Sequence, residues 1–96
     1  MYRIVLRSVG NPDFGQDPRQ PMSPTEVVVV GTLRAASEAA RAYIERHNLG
    51  SGNFPSPRVV KDGRVVARIS YNGRIWLPPD TAGDPGIRGL WRAAPE

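Results

Sequence analysis

Cysteine is absent from this chain of 96 residues. Its absence excludes a disulfide framework, a thiolate zinc site and a cysteine nucleophile. Histidine occurs once, as His47, near the end of a predicted helix, where a positive side chain interacts favourably with the helix dipole. We therefore interpret His47 as a dipole partner or surface residue and not as a catalytic base.

Long apolar runs are also missing. The longest aliphatic run is the VVVV of residues 27–30, far short of the ~20 apolar residues that span a bilayer. The first residues, MYRIVLRSVG, lack the apolar stretch and cleavage site of a secretory leader. We therefore expect a cytoplasmic protein with no membrane partner.

Motifs for a cofactor or a metal ion are missing as well. The glycines form neither a P-loop nor a dinucleotide fingerprint. Asp13 and Asp17 lie in a proline-rich segment without the remaining ligands of a calcium loop. The sequence therefore predicts no cofactor and no metal site, and without a catalytic constellation we expect a protein that is not an enzyme.

Negative charge is scarcer than positive charge. The formal net charge is +4, and twelve of the thirteen basic residues are arginine. A basic balance favours attraction to a polyanion, which is either nucleic acid or an acidic protein surface. Because the codons of a GC-rich genome also favour arginine over lysine, the composition alone does not decide for nucleic acid.

The first half of the chain predicts two strands and one helix. Residues 2–9 and 25–30 are rich in β-branched side chains, and the continuous VVVV of the second strand indicates burial on both faces and a central place in the sheet. Residues 11–24 contain four prolines and form a long loop. Helical spacing then places Ala36, Ala40, Tyr43 and Ile44 on one stripe, with Ser37 or Thr32 as the N-cap and residues 48–50 as the C-terminal cap.

The second half predicts a three-stranded meander. Asp62-Gly63 and Asn72-Gly73 are strong signals for two-residue hairpin turns, and they separate strands at residues 58–61, 64–71 and 74–77. The expected fold is α+β, in the order β-β-α-β-β-β, with one helix packed on a largely antiparallel sheet. Residues 1–79 form the single domain. Residues 80–96 form a Gly/Pro-rich tail, for which the candidate anchors are Ile87, Leu90 and Trp91.

Two-residue turns fix the register of both hairpins, and register decides which side chains share a face. The core face then carries Val60, Val65, Ala67, Ile69, Tyr71 and Trp76. The other face carries Lys61, Arg64 and Arg68 among the smaller or aliphatic Val59, Val66, Ser70, Ile75 and Leu77. Cations interleaved with aliphatic side chains make neither a clean polar face nor a core.

This mixed face has three interpretations. In the first, the proline-rich loop or the tail covers it from within the chain. In the second, it binds a protein partner or a second copy, since arginine is enriched at interfaces. The residues predicted to bind are then Lys61, Arg64, Val66, Arg68 and Ile75, together with Phe14 of the loop. In the third, it binds nucleic acid through phosphate contacts, for which the candidates are Arg58, Lys61, Arg64 and Arg68.

The function expected from these observations is that of a small non-enzymatic binding module, with a protein partner or self-association ahead of nucleic acid. The third interpretation is weakened because the predicted register places no aromatic ring between the cations. One enzymatic alternative is a histidine-independent ribonuclease like small bacterial RNA-cleaving toxins, which would use Arg64, Arg68, Tyr71 and Arg74. That analogy is at the level of the fold alone.

Overall fold

The computed structural model describes residues 1–78 and 91–94. In this part of the chain one helix packs on a six-stranded antiparallel sheet with the strand order β2-β1-β3-β4-β5-β6. The elements are β1 (Tyr2–Leu6), β2 (Glu26–Val30), α1 (Leu33–Arg46), β3 (Arg58–Lys61), β4 (Arg64–Ile69), β5 (Ile75–Leu77) and β6 (Arg92–Ala93). The predicted α+β class and the order of its first six elements are confirmed.

The helix begins one turn earlier than Ser37. Thr32 is the N-cap, and its hydroxyl accepts a hydrogen bond from the backbone N–H of Ala35. Ser37 instead donates its hydroxyl proton to the carbonyl oxygen of Gly73, which ties the helix to the turn before β5. At the other end, Asn48 adopts the left-handed conformation that ends the helix, with φ of 53°.

The core lies between α1 and one face of the sheet. The predicted helix stripe of Ala36, Ala40, Tyr43 and Ile44 is buried. The largest fully buried side chains are Tyr43, Ile4, Leu6, Ile69 and Val59. Burying one such side chain contributes about 1.5–3 kcal/mol to the stability of the fold. The need to bury these side chains therefore determines which face of each strand is turned toward the helix.

The two Asx-Gly turns differ in length. Asp62 and Gly63 both have positive φ, 52° and 76°, and they join Lys61 to its partner Arg64 as a two-residue turn. The second turn has three residues, 71–73, because Ser70 donates its backbone N–H to Arg74. The predicted two-residue turn at Asn72-Gly73 is therefore wrong, and each residue of β5 is turned to the opposite face from the one predicted.

A β-bulge changes the faces in the first hairpin. Val60 pairs with Val65, but Val59 pairs with Ala67, so β4 contains one residue more than β3 at this point. Val59 is consequently buried against the helix, and Val60 lies on the other face. The predicted faces of Val59, Val60 and Val65 are wrong, because Val59 and Ala67 are paired and both are buried in the core.

The proline-rich loop packs at the C-terminal end of the helix. The Tyr43 hydroxyl donates to the carbonyl oxygen of Pro24 at 2.8 Å and also bonds the Ser23 hydroxyl at 2.7 Å. Asn53 donates to the carbonyl oxygen of Val9 and to the side-chain oxygen of Gln16. These bonds hold the loop on the helix side of the sheet and at its end, and not across the opposite face.

The strand β2 lies at an edge of the sheet. The sequence pattern predicts a central strand buried on both faces, and this prediction is wrong within the described residues, where β2 pairs only with β1. Val28 and Val30 pack against the core, whereas Val27 and Val29 are each 56% exposed. The strand is therefore apolar on a face that residues 1–78 and 91–94 leave exposed.

The C-terminal residues add the other edge of the sheet. Residues 92–93, predicted as part of a loose tail, form the short strand β6, which pairs with β5. Trp91, one of the predicted anchors, lies against the Arg68 guanidinium. The other two predicted anchors, Ile87 and Leu90, lie outside the described residues.

Candidate binding surface on the open face of the sheet

The side of the sheet that faces away from α1 is the candidate binding surface, and we call it the open face. Alternation along each strand and the cross-strand pairs define its members. They are Arg3, Val5, Arg7, Val27, Val29, Arg58, Val60, Val65, Arg68, Trp76 and Trp91. In the described parts of the chain, no helix packs on this face.

The half of the open face formed by β2 and β1 is dominated by valine. Val27 lies opposite Val5, and Val29 lies opposite Arg3. Val27 and Val29 are among the most exposed large apolar side chains of the strands. An exposed apolar patch beside an unpaired strand edge is typical of an interaction site or an aggregation site.

The rest of the open face is rich in arginine and holds no carboxylate from the described residues. The acidic side chains in residues 1–78 and 91–94 belong to the loop, to the helix, to the Asp62 turn and, as Glu26, to the helix side of β2. Arg58 and Arg68 lie directly opposite each other on β3 and β4. Like charges in such a pair are unfavourable, so an anionic group bound there would stabilise the pair.

Tryptophan accompanies these arginines. Trp76 pairs with Arg68 across β4 and β5, and the Arg68 guanidinium lies 4.9 Å from the centre of the Trp91 ring. The Arg74 guanidinium lies 5.8 Å from the centre of the Trp76 ring. Such cation–π contacts hold the charged groups against the rings. The predicted absence of aromatic rings among the cations is therefore wrong, because the three-residue turn moves Trp76 off the core face.

An open groove of about 500 Å³ lies at one end of this face. Its lining combines arginine with apolar side chains, namely Val5, Arg7, Pro55, Ser56, Pro57, Arg58 and Val60. Neither Arg7 nor Arg58 forms an ion pair with any described residue. The groove thus combines free positive charge with an apolar surface.

The predicted binding residues do not share one surface. Arg58 and Arg68 lie on the open face, as the nucleic-acid interpretation requires. Lys61 and Arg64 lie on the helix side near the Asp62 turn, where the Lys61 ammonium is 5.1 Å from the centre of the Tyr2 ring. Their predicted place beside Arg68 is wrong, because the bulge reverses the alternation between them.

The two aliphatic residues predicted to bind a partner are part of the core layer. Val66 and Ile75 are half-buried and pack against the buried cluster. The three-residue turn places Ile75 directly opposite Ile69, and Ile75 therefore points to the core face as Ile69 does. The predicted exposure of both residues on the binding face is therefore wrong. Phe14 is 78% exposed at a short turn of 3-10 helix in the proline-rich loop.

Three of the residues named for a ribonuclease-like site lie apart in the described part of the chain. The Tyr71 hydroxyl donates a hydrogen bond to the carbonyl oxygen of Leu49, on the helix side. Arg64 lies by the Asp62 turn, and Arg68 lies on the open face. His47 has a structural environment of its own, since its ring packs on Tyr43 and its Nε2 lies 3.4 Å from the Glu26 carboxylate.

Sequence reasoning missed Arg3, Arg7, Val27 and Val29 as surface residues. The alternation of Arg3 and Arg7 with Ile4 and Leu6 is a signal in the first strand that could have placed both arginines on one face. The valines gave no such signal, because a continuous VVVV has no alternation. Their exposure follows only from the place of β2 at the edge.

No known protein-family model, curated protein or solved structure matches this chain. No helix in the described residues is long and apolar enough to cross a membrane. Within the same residues, no three side chains of histidine, cysteine, aspartate or glutamate cluster as metal ligands do.

Proposed function

We propose that this chain is a protein-binding module that makes contact through β2 and the adjoining valines of the open face. The observation that carries the proposal is the exposure of Val27 and Val29, 56% each, on an edge strand whose outer backbone groups pair with no strand among the described residues. An added strand would satisfy those N–H and C=O groups and place its side chains beside the valines, which is the β-augmentation mode of recognition.

The two edges of the sheet support this choice of surface. Edge strands are normally protected by being short or by carrying charge or proline. The edge at β6 follows the rule, since it has two residues, one of them arginine. The edge at β2 has five residues, EVVVV, and its single charge is Glu26, which already bonds Arg46 at 2.7 Å. Contact with the side chains of an added strand would cover part of each half-exposed valine and contribute up to ~1 kcal/mol to binding.

Site-specific photo-crosslinking tests this proposal. A benzophenone side chain at Val29 is compared with one at Val65, which is also an exposed valine of the open face but lies three strands away. We expect a discrete adduct from position 29 and not from position 65, with the partner identified by mass spectrometry. Equal labelling at the two positions, or no adduct at position 29, contradicts the proposal.

A second candidate function is the binding of single-stranded nucleic acid by the arginine-rich half of the open face. The specific observation in its favour is that Arg58, Arg68, Trp76 and Trp91 lie together without a described carboxylate among them. Single-strand binders combine cations for the phosphates with aromatic rings on which bases stack. Arg3 and Arg7 extend the positive surface across β1.

The nucleic-acid candidate makes a quantitative prediction about salt. If Arg3, Arg7, Arg58 and Arg68 each neutralise one phosphate, the affinity for a single-stranded oligonucleotide falls with a log–log slope of about −2.8, or about 50-fold between 50 and 200 mM salt. Fluorescence anisotropy of a labelled oligonucleotide measures the affinity. The intrinsic fluorescence reports stacking directly, because the two tryptophans of the chain are Trp76 and Trp91.

The variant Arg58→Ala/Arg68→Ala should halve that slope, since two phosphate contacts are lost. A matched control, Arg34→Ala/Arg64→Ala, removes the same charge from the helix and from the helix side of the sheet. If the control weakens binding as much as the first variant, net charge alone explains the affinity. In that case the nucleic-acid candidate is wrong.

A further inference from the structure

We infer that the partner of β2 is a second copy of this chain, paired antiparallel along β2 so that two six-stranded sheets form one continuous sheet. The inference rests on the proposed function and names its partner. A two-fold axis perpendicular to the sheet keeps both helices on the same side, so that core faces and open faces each remain continuous across the seam.

The register of the seam follows from the strand itself. Centring the two-fold axis at Val28 pairs all five residues of β2 with the partner strand, which no other register does. Val27 then lies opposite Val29 of the second copy, and Val29 lies opposite Val27. On the open face, these side chains and the flanking Val5 of each chain form one apolar band, because Val5 is already paired with Val27.

Charge decides between this edge and the open face as the self-association surface. Stacking two open faces on each other would bring the arginines of one copy against those of the other, since the face holds Arg3, Arg7, Arg58 and Arg68 and no described carboxylate. That arrangement is repulsive. The open-face side of β2 carries no charge, and edge pairing keeps each Arg3 outside the central four valines.

Light scattering on the purified chain as a function of concentration gives the first test. We expect a dimer whose mass does not change between low and high salt, because the seam is apolar. The variant Val27→Lys/Val29→Lys places lysines opposite lysines across the seam and should raise the dimer Kd at least ~100-fold. The control Val65→Lys makes the same exchange at an exposed valine three strands away and should leave the dimer intact.

A charge-swap experiment separates loss of pairing from loss of folding. Val27→Glu/Val29→Glu should also be monomeric alone, and an equimolar mixture with Val27→Lys/Val29→Lys should form a heterodimer, because each lysine then faces a glutamate. Circular dichroism checks that each variant is folded. If the mixture stays monomeric while both variants are folded, edge pairing is overturned.

Cross-linking tests the register. Because the native chain has no cysteine, Val27→Cys and Val29→Cys each introduce a single thiol. Directly opposite positions are close enough for a disulfide, and positions offset by two residues are not. The two variants mixed should therefore cross-link under mild oxidation, and neither should do so alone.

The outcomes also separate this inference from the proposed function. A wild-type monomer at all concentrations overturns the inference, and the proposed function is then decided by photo-crosslinking at Val29, where an adduct with a different protein supports it. A wild-type dimer that Val65→Lys dissociates, or that Val27→Lys/Val29→Lys leaves intact, also overturns the inference. That result would place self-association on another surface.

Discussion

The three tyrosine hydroxyls of the chain offer a graded test of how the proline-rich loop is held. The Tyr2 hydroxyl makes no hydrogen bond with any described residue, the Tyr71 hydroxyl donates one to Leu49, and the Tyr43 hydroxyl makes two. Replacing each tyrosine by phenylalanine removes only the hydroxyl and keeps the packed ring. The series therefore isolates hydrogen bonding from the burial of apolar surface.

The two bonds at Tyr43 belong to a directional chain. The carbonyl oxygen of Pro24 can only accept, so the Tyr43 hydroxyl donates to it and accepts the proton of Ser23. Ser23 has then used its proton and accepts from Ser8, which in turn accepts from the backbone N–H of Met22. Each hydroxyl donates once and accepts once, and the loop is attached to the helix through this chain.

The magnitude follows from the number of bonds that are lost. A neutral intramolecular hydrogen bond contributes about 0.5–1.5 kcal/mol to the free energy of unfolding. Tyr43→Phe removes two bonds and should lower this free energy by about 1–3 kcal/mol, Tyr71→Phe should lower it by about 1 kcal/mol, and Tyr2→Phe by less than about 0.5 kcal/mol. The order of the three variants is the central expectation.

Urea unfolding followed by circular dichroism measures these differences. With an m-value of about 1–3 kcal/mol/M, a loss of ~2 kcal/mol in Tyr43→Phe lowers the urea midpoint by about 1 M at unchanged m. Hydrogen exchange at the Met22 amide should also accelerate in Tyr43→Phe, since that amide is at the start of the bonded chain. A Tyr43→Phe variant as stable as Tyr2→Phe would refute this account of the loop.

Two further predictions test the turn that decides the faces of β5. Gly73→Ala should lower the free energy of unfolding by more than ~1 kcal/mol, because φ is +86° and the new Cβ would lie 3.2 Å from the Ser37 hydroxyl oxygen; Gly31→Ala, with nothing within 4 Å, is the control. Ile75→Ala should lower the free energy of unfolding by about 2 kcal/mol and Trp76→Ala should lower it by less, since Ile75 packs against the core. Chemical denaturation measures both values. The reverse order would support the two-residue turn and contradict the three-residue turn.

The fold class was predictable because several independent patterns agree. The helix stripe from Ala36 to Ile44, the β-branched runs and the Asx-Gly pairs each give the same type and order of elements. The structure has these elements, with ends that differ by a few residues. The local sequence offers both Ser37 and Thr32 as the N-cap, and Thr32 is the cap because Ser37 bonds Gly73, a contact between residues 36 positions apart that local sequence does not encode.

The candidate site was less predictable, because a shift of one residue along a strand turns each side chain to the other face of the sheet. An Asn-Gly pair is compatible with a two-residue turn and with a three-residue turn that has glycine in the left-handed position. The additional residue in the turn places Trp76 on the open face and Ile75 on the core face. The bulge at Val66 has the same effect on Lys61 and Arg64. Neither change alters the polarity pattern enough to be seen without the packed core.

The VVVV of β2 shows a different kind of failure. Its pattern describes a strand that is covered on both faces and paired along both edges, whereas among the described residues β2 has a single neighbour and two exposed valines. The prediction takes both neighbouring strands from the same chain, which the pattern itself does not require. A second copy paired at Val28 would give β2 a neighbour on its other edge and place valine against valine on the open face. In that dimer β2 would have the central place in a sheet that the sequence predicts, and its second neighbouring strand would come from another molecule.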